Sequence, residues 1–160
     1  MKNFGKLLVS VIICELAGII GSIFTTSSVR TWYPTLIKPF FQPPNWLFAP
    51  VWTALFLLMG IALFLVWSFD KAQDKLIIKK RALKIFFVQL LFNVLWSIMF
   101  FGLKSPLLGF IVIIVLWISI LMTIIKFFKI SKPAGWLLIP YILWVSFATI
   151  LNLAILILNS

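Results

Sequence analysis

Three sets of side chains sit at helical spacing inside apolar runs, and each has the chemistry to line a ligand site. In the run 46–69, Trp52, Phe56 and Gly60 recur at i, i+4 and i+8 and share one face. That face reads either as helix packing, with Gly60 admitting a close neighbour, or as an aromatic wall. In the run 82–101, Gln89, Asn93, Trp96 and Ser97 fall on one face. Amides are costly in hydrocarbon unless hydrogen-bonded, so this face points inward. Interhelical bonding accounts for one amide; two on successive turns beside a tryptophan fit a lined pocket equally well. In the run 134–158, Tyr141, Trp144, Ala148 and Asn152 lie on one face. Ala148 keeps space open beside Trp144, for a ligand or for a close helix. Pro140 frees a carbonyl near residue 136 and predicts a kink.

Other chemistries are excluded by composition. The chain has no histidine and a single cysteine, so no His/Cys metal cluster and no intrachain disulfide framework can be built. Cys14 lies in an apolar run and reads as a small packing residue. No catalytic triad, metal site or carboxylate pair is present. Glu15 stands near the middle of the first apolar run, where a charge is costly. No Lys or Arg lies at mid-span to pair with it, so a neutral carboxyl, or one hydrogen-bonded to an amide or tyrosine, is expected. A proton-coupled relay is the lesser reading, because it usually needs a second titratable group, and no other Asp, Glu, Lys or Arg stands at mid-span.

These residues must be positioned by membrane helices. The 160 residues are 64% hydrophobic and only 11% charged, far from the roughly one-quarter charged content of soluble domains. Five apolar segments, at about 7–27, 46–69, 82–101, 107–127 and 134–158, each reach the roughly 20 residues a spanning helix needs. Strands would alternate polar and apolar residues, and these runs do not. The expected fold is an all-α integral membrane bundle of five helices, one domain over 1–160. The basic start followed by an apolar run resembles a signal peptide, but the run is too long and lacks a small-x-small cleavage site. It reads as a retained helix.

Positive charge sets the expected orientation. The start of the chain (Lys2, Lys6), the loop after the second helix with its flank (Lys71, Lys75, Lys79, Lys80, Arg81, Lys84) and the last connection (Lys126, Lys129, Lys132) fall on one side. Only Arg30, Lys38 and Lys104 fall on the other. The positive-inside rule places the N-terminus in the cytoplasm and the C-terminus outside. The net charge of +11 is thus a topology signal; no basic stripe points to nucleic acid, and anionic lipid headgroups are the weaker alternative. Short connections at 102–106 and 128–133 predict that helices three, four and five are antiparallel neighbours.

The segment Trp32–Trp67 holds five prolines and four tryptophans. Pro39, Pro43 and Pro44 make the connection 28–45 a stiff strap over the outer end of the bundle. Trp32-Tyr33, Lys38-Pro39, Pro43-Pro44, Trp46, Pro50-Val51-Trp52-Thr53 and Met59-Gly60 closely resemble the signature of the translocator protein family, also called the tryptophan-rich sensory protein or peripheral benzodiazepine receptor family (TspO/MBR). The resemblance extends through Gln89-Leu90-x-x-Asn93-x-x-Trp96-Ser97 and Pro140-Tyr141-x-x-Trp144-x-x-Phe147-Ala148-x-x-Leu151-Asn152, in the same order.

The resemblance implies a homodimeric five-helix bundle. Its cavity would bind porphyrins such as protoporphyrin IX, and isoquinoline or benzodiazepine-type drugs. It implies that Trp52, Asn93, Trp96, Trp144 and Ala148 line the cavity, with Tyr33 and Pro43 in the covering loop; Phe56 joins them by its shared face with Trp52. Porphyrin rings stack on such aromatic faces. Arg30 and Lys38 would meet the propionates. With no histidine, metal-free porphyrin is expected over haem, and no resident cofactor or metal is expected. The leading reading is a receptor or sensor in a stress response; a porphyrin or lipophile transporter is the second. The third, suggested for the family, is light-driven porphyrin breakdown with Trp52 and Trp144 as redox partners. The tail after Tyr141 has neither a tyrosine nor a basic residue, so it departs from the cholesterol motif of animal members and makes cholesterol a doubtful partner. The compact loops look bacterial, which implies a plasma membrane. Ala17-x-x-x-Gly21 is a small-x-x-x-small stripe that packs helices within or between chains.

Overall fold

The computed structural model describes residues 2–70 and 75–160; Lys71 of the basic loop lies outside the described residues. The chain folds into helices α1 (Lys2–Thr31), α2 (Asn45–Trp67), α3 (Leu76–Ser97), α4 (Pro106–Ile130), α5 (Lys132–Leu137) and α6 (Ile139–Leu158). A short 3-10 turn, Tyr33–Thr35, sits in the strap, and a π-turn, Ile98–Gly102, extends α3. There is no strand among the described residues. Five helical stretches, counting α3 with its π-turn and α5 with α6, are long and apolar enough to cross a membrane. The protein is a multi-pass membrane bundle.

The helices run further than the apolar segments. α1 begins at Lys2 rather than residue 7, and α3 at Leu76 rather than 82. Lysine and arginine stems cover apolar surface while their charges reach water, so a helix continues past the hydrocarbon edge. The fifth span breaks at Leu138, two residues before Pro140, whose missing N–H cannot continue the ladder. The connections to α4 and α5 are set by serine caps: the Leu108 amide donates to Ser105 Oγ (3.2 Å) and the Ala134 amide to Ser131 Oγ (3.5 Å).

Packing places α3 against α4, α4 against α6, and α1 against both α2 and α3. The sequential antiparallel neighbours expected for the last three spans are therefore present. α2 meets the fifth span chiefly through α5, at the end opposite the strap. Toward the strap, α2 and α6 stand apart, and aromatic side chains bridge the gap.

Glycines fix the closest seams. A Cβ at Gly60 would lie 2.6 Å from the Val11 Cα, so only glycine permits this approach of α2 to α1. A Cβ at Gly21 would lie 3.1 Å from Ser97 Oγ, and Ala17 is also buried. The Ala17–Gly21 stripe thus packs within the chain. Away from the strap, Phe86 and Phe127 stack with centroids 5.6 Å apart and lock α3 to α4.

Candidate functional site

Where α2 and α6 separate, the bundle encloses a cavity of about 470 Å³. That is within the usual range for small-molecule sites. α1, Tyr33 of the strap, the first half of α2, the last turns of α3, the π-turn and α6 all contribute to its wall.

The aromatic side is continuous. Trp52 lies between Phe56 (centroids 5.9 Å) and Trp96 (6.0 Å), and Trp96 stacks on Phe100 at 5.9 Å. Across the gap, Trp144 meets Phe48 at 6.1 Å and Phe147 at 5.5 Å. The helical period explains this wall: Trp52 and Phe56 are one turn apart on α2, and Trp96 near the end of α3 is one turn from Phe100 in the π-turn that extends it. Phe101 reaches the cavity as well because the π-turn widens the last turn of the third span.

Behind the aromatics lies a buried polar network. Asn93 Nδ2 donates to the Tyr141 hydroxyl (2.7 Å), which donates to Gln89 Oε1 (2.8 Å). Trp96 Nε1 donates to Asn152 Oδ1 (3.1 Å), and Asn152 Nδ2 donates to the Pro106 carbonyl (2.9 Å). These bonds satisfy amides that hydrocarbon would otherwise leave unpaired, and they fix Asn93 and Trp96 against the cavity. One donor stays open: the Trp144 indole N–H is buried and has no partner among the described residues.

The strap closes one end. Tyr33 is buried, packs on Phe101 at 5.9 Å, and burial pushes its phenol up to about 12. Asn159, just past α6, holds the strap with a pair of bonds: the Ile37 amide donates to its Oδ1 (2.9 Å) and its Nδ2 donates to the Ile37 carbonyl (2.8 Å). Ser28 Oγ donates to the Phe101 carbonyl, tying α1 to the π-turn.

Of the residues singled out in the sequence, Tyr33, Trp52, Phe56, Asn93, Trp96, Trp144 and Ala148 line the cavity, together with Ser97 and Asn152. Pro43 does not; it sits half-buried in the strap away from the wall. The face Trp52–Phe56–Gly60 divides, with the two aromatics on the cavity and Gly60 in the α1 seam. The polar face of α3 divides similarly: Asn93, Trp96 and Ser97 line the cavity, while Gln89 and Tyr141 bond behind it. Arg30 lines the mouth, whereas Lys38 does not. The Lys38 ammonium donates to the Tyr33 (2.9 Å) and Leu36 (3.1 Å) carbonyls and stabilises the turn instead of facing a ligand. The expected hydrogen bond from Glu15 to an amide or tyrosine is not formed among the described residues; those groups bond one another.

On α1 the cavity wall includes Glu15, Gly21 and Arg30, which the sequence marks, but also Gly18, Ser22, Thr25, Thr26 and Val29, which it does not. The Ser22 and Thr25 hydroxyls bond their own helix, to the Ile19 (2.7 Å) and Gly21 (3.1 Å) carbonyls, and no aromatic or amide pattern marks this face. No group of three His, Cys, Asp or Glu capable of holding a metal occurs among the described residues. The arrangement offers flat stacking surfaces, an unpaired N–H, a cation at the mouth and a carboxyl on α1.

Residues 10–158 match the TspO/MBR family. The chain is similar to the tryptophan-rich protein TspO of Archaeoglobus fulgidus, 46% identical over 158 residues that cover 99% of both chains. It is 45% identical to the tryptophan-rich protein TspO of Chlorobaculum tepidum over 147 residues, 92% of this chain and 91% of that protein. The human translocator protein is 32% identical over 141 residues, 86% of this chain and 80% of its own length.

Proposed function

This chain belongs to the TspO/MBR family, and from that premise we propose that it is a membrane receptor or sensor holding a flat, largely apolar ligand of porphyrin type in the bundle cavity. The observation that carries this reading is that the aromatic run of Trp52, Trp96 and Phe100 and the separate aromatic cluster around Trp144 on α6 line one cavity. Two aromatic walls are what a flat ring system stacks on, at about 0.5–1.5 kcal/mol per contact beyond area burial. The open Trp144 N–H supplies a donor for a ligand acceptor, and Arg30 supplies a cation at the mouth for a carboxylate. Names given to relatives fit a sensing role, the tryptophan-rich sensory protein of Cereibacter sphaeroides among them. In this reading the protein works as a homodimer in the plasma membrane, with the strap on the outer side.

A second reading, light-driven breakdown of the bound porphyrin, is favoured by one observation: Trp52 on α2 and Trp144 on α6 both line the cavity that would hold the ligand.

The test is a titration with protoporphyrin IX in the dark, followed by tryptophan quenching. Saturation at one ligand per chain is expected, weakened in Trp144→Phe and Asn93→Ala. Illumination of the loaded sample separates the two readings: a light-dependent product lost in Trp52→Phe supports the second, and a stable complex the first.

A further inference from the structure

The cavity has a carboxyl where a porphyrin-type ligand alone does not require one. Of its lining residues, only Glu15, Arg30 and Tyr33 carry ionisable side chains; α2, α3, the π-turn and α6 contribute none. Glu15 is therefore the single acidic group on the wall. It stands midway along α1, a helix long and apolar enough to cross a membrane, and a charge near the middle of such a helix is costly. Arg30 is 15 residues further along the same helix, about 22 Å away at 1.5 Å per residue, and cannot pair with it. The amide N–H groups of the network are directed elsewhere: Asn93 to Tyr141, Asn152 to Pro106, and Gln89 to the Met59 sulfur. No hydrogen bond or ion pair reaches Glu15 among the described residues.

Its surroundings are suited to a cation. One turn above, Gly18 has no side chain, so the Phe56 ring lies against the α1 backbone; a Cβ there would sit 2.6 Å from that ring. Trp52 continues the aromatic surface from Phe56. A carboxyl beside aromatic faces in a low-dielectric wall combines ion pairing with cation–π attraction.

We propose that Glu15 is the recognition point for a protonated amine, so that the cavity also accepts lipophilic amines whose aromatic body stacks on Trp52 and Trp96 while the nitrogen meets the Glu15 carboxyl. This rests on the cavity being a ligand site, as proposed above, and adds a ligand class to it. Glu15 is half-buried on the cavity wall; a lone carboxylate and a lone ammonium are each costly in hydrocarbon, and brought together they offset one another. Anionic groups, by the same argument, stay at the Arg30 mouth.

The test uses two probes of one shape: an anthracene carrying a dimethylaminopropyl chain, and its analogue with CH in place of the amine nitrogen. Binding of each to the full chain in nanodiscs is read by tryptophan quenching, for wild type and for Glu15→Gln. Wild type is expected to bind the amine at least about tenfold more tightly than the carbon analogue, the scale of a partly desolvated charge pair. Glu15→Gln is expected to abolish that preference and leave the carbon analogue's affinity unchanged, which also shows that the variant is folded. An equal preference in both proteins, or none in wild type while the carbon analogue binds, overturns the role of Glu15 alone. Failure of both probes to bind wild type overturns the ligand cavity itself, and this inference with it.

Discussion

Removing the Tyr141 hydroxyl should weaken the bundle without opening a void. Tyr141 is fully buried, and its hydroxyl joins the side chains of Asn93 (2.7 Å) and Gln89 (2.8 Å). Tyr141→Phe keeps the ring, so no packing term enters. Two interhelical bonds are lost. Such bonds in a bilayer average about 0.6 kcal/mol and reach about 1.7, which predicts a loss of about 1–3 kcal/mol. The assay is equilibrium unfolding in mixed micelles with rising SDS fraction, followed by far-ultraviolet circular dichroism. Asn93→Ala and the double variant complete a cycle. Because both single changes break the same Asn93–Tyr141 bond, the double should cost about 0.5–1 kcal/mol less than the sum. A Tyr141→Phe loss under about 0.3 kcal/mol, or strict additivity with Asn93→Ala, would refute the network as drawn.

Gly60→Ala should destabilise by about 1–3 kcal/mol in the same unfolding assay, since the added methyl meets Val11 backbone that cannot yield. Asn159→Ala removes both bonds to Ile37, so the strap should open more often and a bound porphyrin should dissociate several-fold faster in a stopped-flow chase, with helix content unchanged. The Tyr33 phenol should ionise near pH 12 rather than near 10, read as the tyrosinate absorbance that Tyr33→Phe removes. Its folded-state value lies above the unfolded one, so its contribution to stability is complete below pH 10 and is lost as pH rises toward 12.

Much of this could be read from residue type and spacing, and the exceptions have physical causes. The five spans follow from apolar length, and their ends are misplaced by a few residues because lysine stems at 79–84 let α3 start in the headgroup region. Trp52, Asn93, Trp96 and Trp144 announce themselves because aromatic and amide side chains stand out in an aliphatic background. A periodicity cannot say which turn of a face meets a ligand and which meets a helix. Gly60 and Gln89 share their faces with cavity residues, yet the convergence of the helices away from the strap puts both in seams. The π-turn that brings in Phe101 depends on backbone geometry at the end of a span, and on α1 the small Gly18 and the self-bonded Ser22 and Thr25 carry no such mark. Lys38 departs from its expected role for a related reason: its sequence neighbours do not show that the turn aims the carbonyls of Tyr33 and Leu36 at its ammonium.

The most direct test of the cavity as the ligand site is to fill it. Ala148 is buried on α6, lines the cavity, and sits one turn from Trp144. Ala148→Phe should place a ring in the space between the two aromatic walls. Dark titration with protoporphyrin IX should then show binding abolished, while circular dichroism and detergent unfolding stay close to wild type. Undiminished saturable binding in a folded Ala148→Phe protein would contradict the account and place the ligand outside the cavity.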